Sequence, residues 1–328
     1  MSTKPSQLQL TGVGTVEATP SSGHGQPILE IRACGICHSD RKAFAAPPAG
    51  MRLPRVLGHE VAGLLLQDLP GCNLKAGAAV ALWPALACGH CAFCNLGRTN
   101  LCPTIRLFGY HLNGGYGTTL FLPPEDLDHL ICYPIPASVS FVAATFAEPL
   151  ACLLNGLGKI TSPPASLLVL GAGLMGRLAV RLAKVLWPAC KIFINDIDEA
   201  RLQAAAAEAS VFNGEEVETA LISASSAQAL STALEALAPG GRVILFSGLP
   251  GHEKQFPLDH NRLHQREQSV VGAYGCVPEN IQQALSLLGE GSLMVKDLVS
   301  TELSLSEAGA ELARPQDAAD MKSVIVFD

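Results

Sequence analysis

The sequence has no basic run and no long apolar stretch, and each absence narrows what the chain does. Its formal net charge is -7 at pH 7. With no cationic face to neutralise phosphates, neither nucleic acid nor an anionic membrane surface is an expected partner. Nowhere do 18 apolar residues run together without Gly, Pro or polar breaks, so no membrane-spanning helix is expected. The first ten residues lack the basic start and apolar core of a secretion signal, and the expected location is the cytoplasm. What remains is a globular chain whose 328 residues suggest roughly two domains and whose 48% hydrophobic content suffices for sizeable cores. Small molecules are its expected partners.

Eleven cysteines, an odd number at irregular spacing, do not read as a disulfide framework. Four of them, Cys88, Cys91, Cys94 and Cys102, follow C-x2-C-x2-C-x7-C. Four thiolates on one short lobe close a tetrahedron around zinc, and such a site has no room for substrate, which makes it structural. An iron–sulfur cluster is the rival, kept open by Pro103 directly after Cys102.

A second group lies upstream, in G-I-C-H-S-D from Gly35 to Asp40 and G-H-E from Gly58 to Glu60. Cys37 and His59 sit there among small and polar residues, as ligands of a borderline-soft metal do. A buried thiol and an ordinary imidazole are the plainer reading. Asp40 and Glu60 stand ready as outer acceptors or reserve ligands. Ser39 offers a hydroxyl two residues from the thiolate, where it can take a proton from an alcohol. Cys34 is read as a packed thiol; with Cys72, Cys132, Cys152, Cys190 and Cys276 it belongs to the cysteines expected to serve as small buried hydrophobes. Glu148, inside the apolar run F-A-E-P-L-A-C, needs a partner if buried. It is either a helix-end carboxylate in solvent or a third ligand, direct or through water, of the metal at Cys37 and His59.

Short strand-like runs at residues 27–33, 56–67 and 77–83, with a turn at 70–71, predict an irregular antiparallel barrel, and a helical segment starts near 138. Residues 166–170 are a continuous apolar run fit for a buried parallel strand. It ends in Gly171-Ala172-Gly173-Leu174-Met175-Gly176, a G-x-G-x-x-G before a helix reaching 186. Between strand and helix that motif is specific, because its glycines permit a tight turn and let a pyrophosphate reach the helix N-terminus. A second strand, 191–195, leads to Asp196, placed to bind the ribose hydroxyls of NAD and repel a 2′-phosphate. Capping the helix that starts at 199 is its plainer role.

Further strands at 219–224, 242–246 and 270–274, with a helix at 227–238, complete a doubly wound parallel sheet. A helix at 278–288 and a strand at 323–327 follow, the latter expected to return to the first domain. One connection is anomalous: the third strand, 209–212, is followed by only six residues before the fourth. A parallel crossover takes a dozen or more. The crossover helix is therefore expected to be absent, and the third strand vestigial, displaced or missing.

In this order the signals resemble the zinc-dependent medium-chain dehydrogenase/reductase family of alcohol and polyol dehydrogenases. The resemblance implies an α/β chain: a GroES-like irregular β-barrel catalytic domain at 1–150 and 274–328 around a Rossmann NAD-binding domain at 151–273. It places a catalytic zinc on Cys37 and His59, with Glu60 and Glu148 as further ligands or exchange partners, and a structural zinc on the cysteine quartet. Glu148 in E-P-L is similar to the sorbitol and threonine dehydrogenase branch. His38 is implied near the cofactor pyrophosphate, Ser39 as the proton-relay hydroxyl, and Ser247 and Gly248 among the cofactor contacts. Many relatives carry a histidine five residues past the zinc cysteine; this chain has Lys42, assigned here to the relay. The implied activity is hydride transfer between NAD and a secondary alcohol or polyol, by a homo-oligomer of two or four chains. An NAD- and zinc-binding sensor is the alternative.

Overall fold

The computed structural model describes residues 6–21, 25–249 and 255–328. The chain divides into two compact units, one of Met1–Ala151, Val277–Gln316 and Met321–Asp328, the other of Cys152–Cys276 and Asp317–Asp320. Among the described residues, no helix is long and apolar enough to cross a membrane.

The first unit is built on the long strand Gln26–Ile36, which pairs antiparallel with Glu60–Leu65, Thr119–Leu122 and Lys322–Val326. Its side chains alternate between buried and half-buried from Leu29 to Ala33 and stay buried from there to Ile36. The C-terminal strand thus does return to this unit, starting at Lys322, one residue earlier than expected. A three-stranded sheet of Thr15–Pro20, Ser6–Gly12 and Arg55–Val56 completes the barrel. Leu10, Ile28, Ile31, Val61, Val80, Phe108 and Ile325 are among the residues that fill it. The helical segment expected from 138 onward is two helices, Phe141–Ala144, capped by Ser140, and Ala147–Leu157.

The second unit is a six-stranded parallel sheet in the order third, second, first, fourth, fifth, sixth, with the first strand at Ser166–Leu170 and the second at Lys191–Asn195. The third strand is two residues, Ser210–Val211, paired with Phe193 and Ile194. Residues 212–216 are all described and none is helical; the fourth strand begins at Val217. Three strand spacings of about 4.8 Å plus the return to the start of the fourth strand come to roughly 20 Å, within the reach of an extended chain from Val211 to Val217. So short a link therefore suffices once the third strand has shrunk to two residues. Phe212, on the link, meets the ring of Phe193 edge-on at 6.5 Å. The fifth strand, Leu237–Leu245, carries an irregularity in its register against the fourth between Leu237 and Arg242.

Candidate metal centre and dinucleotide site

Cys37 directly follows the barrel strand and stands, in extended conformation, as N-cap of the helix His38–Ala45. Asp40 organises this corner. One carboxylate oxygen accepts from the Cys37 amide at 3.0 Å and from the Tyr116 hydroxyl at 2.9 Å; the other accepts from the Gly58 amide at 3.3 Å and faces His59 Nδ1 at 3.4 Å. Asp40 is thus the charged group that Nδ1 of His59 faces. Burial alone would raise the Asp40 pKa, but the nearby imidazole and the donors on Cys37 and Tyr116 outweigh it and hold the carboxyl below its usual range. Burial would likewise lower His59, and the Asp40 charge overrides it.

Glu60, opposite Gly35 in the paired strands, brings its carboxylate to the same place. Ligand atoms of Cys37, His59 and Glu60 lie within 4.8 Å of one another. Thiolate, imidazole and carboxylate at that spacing are a donor set suited to catalytic zinc, which uses three protein ligands and leaves a position open. Glu60 is also bound to Lys322 Nζ, and neither side chain is more than 2% exposed. Burial pushes Glu60 up, against the pull of Lys322 and His59. Burial would push Lys322 down, but Glu60 and Cys37 hold it above its usual value. The ammonium also lies 5.4 Å from the centre of the Phe146 ring. Gly35 leaves the room for this pair: a Cβ there would come within 2.0 Å of Glu60 Oε2 and 2.6 Å of Lys322 Cε.

Glu148, in the first turn of its helix, is outside the trio of ligand atoms but close enough for its charge to act on both Glu60 and Lys322. Cys34 is fully buried and outside the trio as well. Ser39 is half-buried and hydrogen-bonded to the hydroxyl of Tyr110, whose ring leans on His59 at 6.2 Å between centres. Lys42 lies exposed three residues further along the same helix, and His38 is exposed at its start. Reasoning from sequence missed Lys322 and Tyr116. Lys322 alone carried a signal, a lysine heading an apolar strand.

The thiolate lobe closes as its spacing requires. Ligand atoms of Cys88, Cys91, Cys94 and Cys102 lie within 4.8 Å of one another, with sulfur separations of 3.9 Å for Cys88–Cys94 and 3.5 Å for Cys91–Cys94. Sulfurs at the corners of a tetrahedron with Zn–S of about 2.3 Å stand roughly 3.8 Å apart, so the quartet fits the ion. Cys91 caps the short helix Ala92–Asn95 by accepting the Cys94 amide, and Cys102 faces the Cys88 amide at 3.5 Å. Of the remaining six cysteines, Cys34, Cys132 and Cys276 are buried, whereas Cys72, Cys152 and Cys190 are only partly so, a correction to the expectation that all are core residues.

In the second unit, the first strand turns at Gly171, whose φ of +108 favours glycine, and Gly176 packs where a Cβ would be 1.7 Å from the Gly171 carbonyl oxygen. Gly173 caps the helix Leu174–Leu186, which opens with Leu174, Met175 and Gly176 and has no acid in its first turn, so its amide ends can receive a phosphate. Asp196 accepts from the Ala172 amide at 2.6 Å and the Asp198 amide at 2.9 Å, which fixes its carboxylate beside the glycine turn. It does not cap the next helix; Asp198 does, by accepting from Arg201. The Ser247 hydroxyl donates to the Ala224 carbonyl at 2.7 Å at the end of the fifth strand, next to the open Gly248.

A thiolate–imidazole–carboxylate centre in a GroES-like barrel, joined to a doubly wound dinucleotide fold, defines a zinc-dependent dehydrogenase. Residues 23–136 match the alcohol dehydrogenase GroES-like domain and residues 192–290 the zinc-binding dehydrogenase domain. The chain is 29% identical over 316 residues to D-altritol 5-dehydrogenase of Agrobacterium fabrum, covering 91% of each, and 26% identical to sorbitol dehydrogenase of Bacillus subtilis, covering 90% of this chain and 88% of the other. Among solved structures, an alcohol dehydrogenase of Thermus sp. ATN1 superposes with a TM-score of 0.87 at 25% identity, over 98% of this chain and 100% of that one. The chain belongs to the zinc-dependent medium-chain dehydrogenase/reductase family.

Proposed function

We propose that this protein oxidises a secondary hydroxyl of a polyol or related alcohol with NAD, or reduces the corresponding ketone with NADH. The observation that carries this is the meeting of Cys37, His59 and Glu60, with Tyr110, the neighbour of Ser39, leaning on His59. Relatives named for altritol and sorbitol support the polyol class. Cys37, His59 and a carboxylate, Glu60 or Glu148, would hold a zinc ion, which would supply a Lewis acid that makes an alcohol easier to deprotonate, and bound NAD would supply the hydride acceptor.

The chain's own residues do the rest. Ser39 accepts the proton of the substrate hydroxyl, Tyr110 holds Ser39 in place, and Lys42, one turn along the helix, is the solvent end of the relay. Asp40 sets the ring of His59, leaving its other nitrogen for the metal. Lys322 holds Glu60 in reserve. In the dinucleotide unit, the helix N-terminus at Gly173 receives the pyrophosphate and Asp196 the ribose hydroxyls, so NAD is the cofactor in preference to NADP. The cysteine quartet binds a second, structural zinc.

The test is a panel of hexitols, pentitols, hexonates, sugar phosphates, hydroxy amino acids and simple secondary alcohols, each with NAD, followed at the absorbance of NADH. The expected result is turnover fastest in the polyol group. Binding of NAD without turnover of any class would contradict the proposal and support a sensor.

A further inference from the structure

Of the cysteines outside the lobe and the metal centre, two in the first unit meet each other. Cys72 ends the short turn Pro70–Cys72 and is only partly buried; Cys132 opens the edge strand Cys132–Pro134 and is 3% exposed. The turn is clasped by reciprocal backbone hydrogen bonds, Leu69 to Leu74 at 2.9 Å and Leu74 to Leu69 at 3.2 Å, which limit how far Cys72 can swing away. The strand is fixed by its pairing of Cys132 with Leu82. Between them, the Cys72 sulfur lies 3.4 Å from the Leu130 carbonyl oxygen, two residues before Cys132, and close enough to Cys132 for its side chain and amide to act on the Cys72 charge. Neither thiol belongs to a group of metal-ligand atoms among the described residues.

We propose that Cys72 and Cys132 form a redox-responsive thiol pair that a hydroperoxide converts reversibly to a disulfide. The two sulfurs differ in the way such a pair requires. Cys72 can donate its proton to the Leu130 carbonyl as a thiol, but as a thiolate it is favoured by the side chain and amide of Cys132 against that one carbonyl. The influence of Cys132 outweighs burial and brings Cys72 down to about 6. Its partner is pushed well up, first by that same contact and then by burial, so it remains a thiol. A partly exposed thiolate beside a buried thiol is an attacking and resolving pair.

The chemistry balances. The Cys72 thiolate attacks one peroxide oxygen; the O–O bond breaks, an S–O bond forms, and the other oxygen leaves as alkoxide or hydroxide and takes up a proton. The Cys132 sulfur then attacks the sulfenic Cys72 sulfur, forming S–S and breaking S–O, and its proton leaves with the displaced hydroxide as water. Two thiols are oxidised and one hydroperoxide is reduced to an alcohol and water; an external dithiol reverses the change. The new bond would staple the turn after the Glu60–Leu65 strand to the strand at Cys132.

The test uses the zinc-loaded full chain at pH 7 with hydrogen peroxide, the dose raised until some thiol is oxidised. Free thiols are then alkylated and the peptides read by mass spectrometry. The expected product is a peptide pair linked through Cys72 and Cys132, lighter by two hydrogens and released by dithiothreitol. In Cys132→Ser, dimedone should capture Cys72 as the sulfenic acid; in Cys72→Ser, Cys132 should stay reduced. Full alkylation of both cysteines while other thiols of the chain are oxidised, or a link from Cys72 to a different cysteine, would overturn the proposal. The assay does not involve alcohol turnover, so its outcome is independent of the proposed dehydrogenase activity.

Discussion

Lys322 donates to Oε2 of Glu60 in a place where both are almost wholly withdrawn from water. The lysine heads the C-terminal strand and the glutamate heads a strand of the barrel, with Gly35 between them too small to intrude. A carboxylate beside Cys37 and His59 is thus held by a buried ammonium.

Lys322→Met should therefore leave Glu60 without its partner. Breaking a buried pair from one side costs about 3–5 kcal/mol, whereas replacing both groups costs much less. Urea denaturation of Lys322→Met, Glu60→Gln and the double variant checks this. The double variant should lose clearly less stability than the two single losses added together; simple additivity would show that the pair is not coupled.

The hydroxyl of Ser39 is expected to matter for turnover and not for binding. Ser39→Ala should lower kcat by about 10²–10⁴ with zinc content and NAD affinity unchanged. Tyr110→Phe removes only the hydrogen bond that orients Ser39, and should lower kcat by about 2- to 10-fold, the weight of one such bond. Full activity in Ser39→Ala would mean that water carries the proton.

Asp196 is held by two backbone amides beside the glycine turn, with Ile197 next to it and no basic side chain in Asp196-Ile197-Asp198. NAD should give higher kcat/KM than NADP, and Asp196→Ser should narrow that difference. Equal use of NADP by the unchanged protein would refute the assignment.

Glu311 accepts from Arg41 at 2.6 Å, Ser323 at 2.8 Å and Arg314 at 2.9 Å, tying the His38–Ala45 helix to the C-terminal segments. Burial would raise its pKa, but these donors bring it down to about 2. Because the folded value lies below the unfolded one, near 4.5 in the free side chain, the stabilisation is complete above that pH and disappears as the pH falls towards 2. Its size is on the order of 2–3 kcal/mol. Thermal melts of the native protein and Glu311→Gln should differ most near neutrality and converge in acid; a constant difference would contradict the coupling.

Much of this was legible before any coordinates. The quartet and the G-x-G-x-x-G are local, so spacing alone carried them, and the short link before Val217 was legible because chain length limits what a crossover can span. Asp40 and Glu60 were visible as acids beside the ligands. Lys322 was not, because 262 residues separate it from Glu60 and only the return of the last strand onto Gln26–Ile36 joins them. Tyr116 lies in a loop whose path depends on glycines packing against Leu57 and Gly58, a relation that no periodicity announces. The role of N-cap went to Asp198 instead of Asp196 because Asp196 is already engaged by the glycine turn.

A catalytic metal at Cys37 and His59, separate from the structural metal of the lobe, is open to elemental analysis of the purified protein and of Cys37→Ser, with alcohol oxidation measured on the same samples. The expected result is two zinc ions per chain in the native protein, and one zinc with a folded but inactive chain in Cys37→Ser. A single zinc in the native protein that Cys37→Ser leaves in place, or iron with visible absorbance in the lobe, would contradict it.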